Sequence, residues 1–254
     1  MEAHPATTNP APAAPAVRSM FASIARSYDR ANQILSFGLH HRWRSAAVRE
    51  SGVRRGDRIL DCATGTGDLA IAFREAVGES GDVVGTDFCD EMLVLATRKA
   101  ERARARIRFE AADVLALPYA DRSFDIASIA FGIRNVEDPV RGLREMARVL
   151  RPGGRVVVLE FGQPGGAWFA PLYRFYSHRV LPRVGGWVSG ERSAYEYLDR
   201  TASRFPAGER FADLMRSSGA FQDVRARALT GGVAYVYLGT VGAADPASRR
   251  REVS

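Results

Sequence analysis

The chain has 254 residues, 46% of them hydrophobic and 26% charged, the proportions of a globular protein long enough to bury a sizeable core. No run of about 18 apolar residues occurs, which excludes a membrane-spanning helix, and the first residues lack the charged and apolar regions of a signal peptide. The formal charge of +7 permits contact with anionic lipid or nucleic acid. Its arginines are scattered along helical faces rather than gathered into a stripe, so no nucleic-acid partner is expected.

The two cysteines, Cys62 and Cys89, have neither metal-ligand nor disulfide-framework spacing. No metal site is expected, and a cytoplasmic location is. Residues 1–17 are rich in Ala and Pro without apolar periodicity and read as a disordered tail. Residues 242–254 read the same way, with Arg249, Arg250 and Arg251 among them. One domain is predicted between them, over residues 18–241.

Within that domain strand and helix patterns alternate. "DRILDCA" is a short apolar run ending in an acid, and "DLAIAFREAV" follows with helical spacing. "DVVGTDF" is the next strand, and Asp90 is a plausible cap for the helix "DEMLVLATRKAERA". "IRFEAADV", "FDIASIAF" and "RVVVLEF" are three further strands, with "PVRGLREMARVL" the helix between the last two. Strands separated by helices imply parallel pairing through right-handed crossovers, hence a Rossmann-like, doubly wound α/β sheet. "DVRARAL" and "VAYVYLGT", joined at Gly231-Gly232, predict an antiparallel hairpin at the C-terminal end.

In such a sheet ligands bind beyond the carboxyl ends of the strands, which gathers Asp61, Gly65, Gly67, Asp87 and Asp113 around one crevice. Gly65-Thr66-Gly67 satisfies a loose dinucleotide fingerprint, with Asp87 about twenty residues on as a ribose-binding acid. Three details argue against a dinucleotide. Asp68 stands at the helix N-terminus where a diphosphate would lie, Asp61 is placed to meet a cationic group, and Asp113 offers an acceptor to the amine of an adenine. Carboxylates around an adenosine, with no basic residue in the loop, suit a cofactor with a ribose and a positive charge but no phosphate. S-Adenosylmethionine has that chemistry.

Four ordered segments extend this reading: "YDRANQILSFGLHHRW" from Tyr28 to Trp43, "FGIRNV" from Phe131 to Val136, "RVLRPGGRVVVLEFG" from Arg148 to Gly162, and "LTGGVA" from Leu229 to Ala234. Through them the chain, from about Met20 to Thr240, resembles the ubiquinone and menaquinone biosynthesis C-methyltransferases. It departs from their usual pattern at Ala31, Arg151, Gly162 and Ala130, the last in place of a Ser contact found in some members. The resemblance implies a class I S-adenosylmethionine-dependent C-methyltransferase acting on a prenylated quinol, demethylmenaquinol first and the methoxy-benzoquinol of ubiquinone synthesis as the alternative. By position it assigns Thr66, Asp87, Asp113 and the backbone at Val114 to the cofactor, with Asp87 on the ribose hydroxyls.

Methylating a ring carbon requires a phenolate, so the site needs a proton acceptor and a group that holds the oxyanion. Arg134 and Asn135, just after the fourth strand, are expected to orient the acceptor, Arg134 as a permanent cation rather than a base. His40 is the candidate proton acceptor, because an unperturbed imidazole titrates near neutrality. Tyr28 is expected to touch substrate or cofactor. Residues 168–205 are a candidate lid, and the aromatic and basic stretch Trp168–Trp187, which includes His178, is expected to make transient contact with a membrane surface.

Overall fold

A computed structural model describes residues 14–165, 176, 179, 183 and 191–242. Helices α1 (Ala14–Leu35) and α2 (Leu39–Glu50) precede the sheet. Strands β1 (Arg58–Cys62), β2 (Asp82–Asp87) and β3 (Arg108–Ala111) then alternate with α3 (Asp68–Val77) and α4 (Asp90–Arg102). Strands β4 (Phe124–Ala130) and β5 (Leu150–Phe161) flank α5 (Pro139–Arg148). Helices α6 (Arg192–Arg204) and α7 (Glu209–Ser217) lead into the hairpin of β6 (Asp223–Leu229) and β7 (Ala234–Thr240). No helix among the described residues is long and apolar enough to cross a membrane.

The seven strands are ordered β3-β2-β1-β4-β5-β7-β6. The first five pair in parallel and β7 runs antiparallel between β5 and β6, so the hairpin closes one edge of a doubly wound sheet. Successive residues of the inner strands feed opposite cores, as a strand buried on both faces requires. Ile59, Val83, Ile126 and Val157 pack with Trp43, Leu69 and Phe73 of α2 and α3. Leu60, Val84, Ala127 and Val156 pack on the other face with Leu143 and Met146 of α5 and Phe211 and Met215 of α7.

Chain order reverses between β1 and β4, which makes their carboxyl ends the topological switch point. Helix starts around it follow local chemistry. Asp138 caps α5 by accepting from the Arg141 N–H at 2.9 Å, with Pro139 as the first helical residue. Asp90 does not cap α4; Cys89 precedes the helix, and Asp90 lies inside its first turn, where it pairs with Arg18 of α1 at 2.6 Å.

That contact also corrects the tail boundary. Residues 14–17, read as disordered, begin α1, and Val17 is buried. Amphipathic pairing of α1 with α4, through Phe21, Ala25 and Met92, overrides the low helical signal of an Ala/Pro stretch. Residues 1–13 and 243–254 lie outside the described residues, as does most of the candidate lid. Of that lid, α6 is a regular helix and Tyr176 reaches back to donate its hydroxyl to the Leu35 carbonyl at 2.7 Å.

Candidate active site

The loop after β1 is shaped by left-handed backbone: Ala63 at φ 47°, Gly65 at 55° and Gly67 at 82°. Glycine at 67 also answers crowding, since a Cβ there would stand 3.1 Å from both Ala96 and the Phe109 ring. Phe131, at the end of β4, has φ 55°, and a Cβ on the following Gly132 would stand 2.9 Å from that of Ala63. Two non-glycine residues thus hold an uncommon conformation where the β1 and β4 loops meet, a form of strain that functional sites concentrate.

Above this junction opens a cleft of about 410 Å³, open solvent at its mouth included. Its wall combines Ala63 and Gly65 after β1, Asp87 and Phe88 at the end of β2, Met92 of α4, Ala130 to Gly132 at the end of β4 with Asn135 beyond, and Phe21 and Tyr28 of α1. Of the residues expected at the site, Tyr28, Gly65, Asp87 and Asn135 come together in that wall.

Asp87 is 6% exposed, and its two oxygens accept from the Gly65 N–H at 2.8 Å and the Cys89 N–H at 2.9 Å. Burial pushes its carboxyl up, and the backbone donors of Cys89, Gly65 and Phe88 oppose that rise. The carboxylate is therefore fixed in orientation with lone pairs to offer, which suits a ligand's hydroxyl groups.

Asn135 ends a 3-10 turn, Ile133–Asn135. Its Oδ1 accepts from the hydroxyl of Tyr197 on α6 at 3.2 Å, while Nδ2 is buried without a hydrogen-bond partner among the described residues. An amide donor left unpaired in a cleft wall is a point at which an acceptor oxygen would be bound.

Other expected residues stand elsewhere. Arg134, read as the oxyanion group, is 7% exposed and absent from the wall. Its Nη1 donates to Glu160 at 2.6 Å and to the Phe131 carbonyl at 2.7 Å, and its guanidinium stacks over Phe161 at 5.2 Å. It anchors the strained Phe131 turn rather than facing the cleft. Burial pushes Glu160 up, opposed by this guanidinium.

His40, read as the proton acceptor, is buried beside α1, with its Nδ1 2.6 Å from Ser36 Oγ. Desolvation, followed by the charge of Arg44, lowers its pKa to about 4, so it is a weak base, and it is not in the wall. Asp61, placed by its position to meet a cation, is 1% exposed and accepts from Thr64 at 2.6 Å and Ser128 at 2.7 Å. It braces the glycine loop, and burial raises its pKa to about 6. Asp113 is exposed and accepts from the Leu115 N–H at 2.8 Å, while Val114 packs into the core.

The electrostatic case against a dinucleotide also needs correction. Asp68 is not a bare repulsive charge: Lys99 at 2.7 Å and Arg44 at 3.1 Å pair with it. Although burial pushes its carboxyl up, these two cations outweigh the effect and hold it below the usual range. Lys99 also pairs with Asp29 of α1 at 2.5 Å and donates to Thr66 Oγ1 at 2.9 Å, while Thr66 donates to Asp29 at 2.6 Å. This network ties α1, and with it the wall residues Phe21 and Tyr28, to the glycine loop. Neither Lys99 nor Tyr197 carries a local sequence signal for these roles. Phe88 had one, since it directly follows the acid at the end of β2.

Among the described residues no group of three or more His, Cys, Asp or Glu side chains is placed to hold a metal ion. The fold resembles that of a S-adenosylmethionine-dependent methyltransferase from Thermotoga maritima, with a TM-score of 0.61 at 21% identity, over 87% of this chain and 98% of that one. In sequence the chain is 54% identical to the ubiquinone/menaquinone biosynthesis C-methyltransferase of Bdellovibrio bacteriovorus, over 92% of this chain and 99% of the relative. It is 48% identical to the demethylmenaquinone methyltransferase of Deinococcus radiodurans, over 88% and 92%. The model of the ubiE/COQ5 methyltransferase family matches residues 10–241. This chain belongs to the ubiE/COQ5 methyltransferase family.

Proposed function

We propose that the protein is a S-adenosylmethionine-dependent C-methyltransferase that methylates the ring of a prenylated quinol, demethylmenaquinol before all others. The observation that carries this reading is the pairing, in one switch-point cleft, of the oriented Asp87 carboxylate with the unpartnered Asn135 amide. The cofactor fits the residues present: Asp87 would accept from the ribose hydroxyls, Gly65 lets its backbone approach, and Phe88 and Met92 offer apolar surface to a base. S-Adenosylmethionine supplies an electrophilic methyl group when bound.

The protein's own contribution is to hold the acceptor. A quinol hydroxyl that loses its proton delocalises charge onto the adjacent ring carbon, and the Asn135 N–H would donate to that oxygen. Tyr197, by holding Oδ1, fixes the orientation of the amide. Tyr28 and Asp87 are the titratable side chains in the wall. Tyr28 is accordingly the residue placed to touch the ring hydroxyl or the cofactor, and α1 covers the site against water. Arg134 acts through the backbone, fixing the turn that presents Asn135. Because a long prenyl tail stays in the bilayer, the protein works as a cytoplasmic enzyme peripheral to the membrane.

A second reading, methylation of 2-methoxy-6-polyprenyl-1,4-benzoquinol, is favoured by the 54% identical relative, whose name joins both pathways. Transfer of labelled methyl to chemically reduced demethylmenaquinone, beside the reduced methoxy-benzoquinone, separates the two. Transfer to the naphthoquinol alone is expected, and transfer to the benzoquinol alone overturns that order. Asp87→Ala should weaken S-adenosylmethionine binding by about tenfold to a hundredfold, the scale of a lost hydrogen bond to a charged group. Unchanged binding would remove Asp87 from the cofactor site.

A further inference from the structure

The turn between α1 and α2 carries an apolar tip that the catalytic reading does not use. Phe37 is 79% exposed and Ile34, one helical turn earlier, 43%. Phe37 holds φ 51°, and Gly38 follows at 74°. An aromatic side chain in left-handed backbone is uncommon and costly, and here the cost is not offset by burial. The turn is nonetheless well tied, by the Phe37 N–H to the Ile34 carbonyl at 3.2 Å, the Gly38 N–H to the Gln33 carbonyl at 3.0 Å, and Ser36 Oγ to the Asn32 carbonyl at 2.6 Å. A rigid turn that pushes a phenyl ring into solvent is built for contact.

The charge around the tip says with what. From Arg30 to Arg49 the chain holds four arginines and two histidines and none of its 29 acidic residues. From Gly162 to Gly190 there are three more arginines and again no acid. The two acid-free stretches meet at the tip, where the Tyr176 ring lies 5.8 Å from that of Phe37. Arg42 and Arg49 of the first, and Arg179 and Arg183 of the second, are exposed. An apolar point at the junction of two cationic, acid-free stretches of chain matches the headgroup boundary of an anionic bilayer.

We propose that Ile34 and Phe37 insert into the headgroup region of an anionic phospholipid membrane, with Arg42 beside them at the lipid phosphates, and that this turn docks the enzyme where its acceptor resides. The identification of lipid as the partner rests on the prenylated-quinol reading. The turn is a different surface from the cleft wall, so the two can be tested apart.

Flotation of the full chain with vesicles of mixed phosphatidylglycerol and phosphatidylcholine should recover it in the lipid fraction, and pure phosphatidylcholine vesicles should not. Phe37→Ser and Ile34→Ser should each lower partitioning, Phe37→Ser by about tenfold, and Arg42→Glu should lower it on anionic vesicles. All three should keep wild-type turnover on a short-chain, water-soluble demethylnaphthoquinol, which shows that they fold. Wild-type partitioning of Phe37→Ser overturns the proposal. So does absence of vesicle binding together with a dimer that Phe37→Ser converts to monomer, because the tip would then meet a second copy of this chain. Vesicle binding with no methyl transfer to any quinol would leave the docking surface standing and overturn the reading of the cleft.

Discussion

Two charged clusters flank the cleft, and they are built to opposite specifications. Arg134 and Glu160 lie between the ends of β4 and β5 with side chains 3% and 1% exposed, 2.6 Å apart. Arg134 Nε and Glu160 Oε2 have no further partner among the described residues. Lys99, Asp29, Asp68 and Arg44 join α4, α1, α3 and α2 with side chains 10% to 45% exposed. The first cluster is a fixture of the sheet that holds the Phe131 turn in shape. The second is a clasp in contact with water that ties α1 to the glycine loop. Charge pairs of similar length therefore do different work according to how much solvent competes with them.

The largest test of this contrast is the buried pair. Glu160→Leu leaves the Arg134 guanidinium uncompensated and should cost about 3–5 kcal/mol, lowering Tm by roughly 10 °C. The double variant Arg134→Met with Glu160→Leu should regain most of that stability, because two apolar groups replace a pair that was costly to desolvate. Thermal unfolding of the three proteins decides it. A single-variant loss below about 1 kcal/mol would mean that water already reaches the pair, and the contrast would collapse.

Why the sequence misplaced Arg134 is instructive. Its position after β4 was legible from the apolar run "FDIASIAF", as was that of Asn135, which the structure has in the cleft wall. Its partner is 26 residues away on the neighbouring strand, brought alongside by the register that pairs Ala130 with Leu159. A register between parallel strands is not a local property, so the residue type pointed to an exposed cation while the fold made a buried one. His40 was misread for a related reason: an unperturbed pKa was assumed, and burial beside Arg44 removed it. Gly65, Gly67 and Asp87 were legible because backbone conformation and strand ends are local.

A second effect separates buried charge from open charge by pH. Asp61, fully buried under the glycine loop, has its pKa raised by desolvation from 3.8 to about 6, which corresponds to roughly 3 kcal/mol. Below about pH 4 it is neutral whether the chain is folded or not. As pH rises toward 6 the unfolded chain ionises first, so the folded state loses this stability progressively and the loss is complete above the folded pKa. Urea midpoints of wild type and Asp61→Asn, compared from pH 4 to 7, should diverge across that window, the wild type falling relative to the variant. Parallel curves would show that Asp61 is already solvated.

The smallest effect on stability belongs to the clasp, and there the functional consequence is the larger part. Lys99→Met removes the centre of the network, but Lys99 is 27% exposed, Asp29 45% and Asp68 20%, so the loss should stay within about 1 kcal/mol. The same substitution frees α1, whose Phe21 and Tyr28 form one wall of the cleft. Dissociation of S-adenosylmethionine should therefore quicken severalfold while Tm hardly moves. High salt should reproduce part of this in the wild type, because exposed pairs are screened and the Arg134–Glu160 pair is not. Stopped-flow dissociation with and without 0.5 M salt (about a 4 Å Debye length) reads both effects. If Lys99→Met instead lowers Tm as far as Glu160→Leu, the clasp is a second fixture, and entry of the cofactor must be controlled by the opposite rim of the cleft.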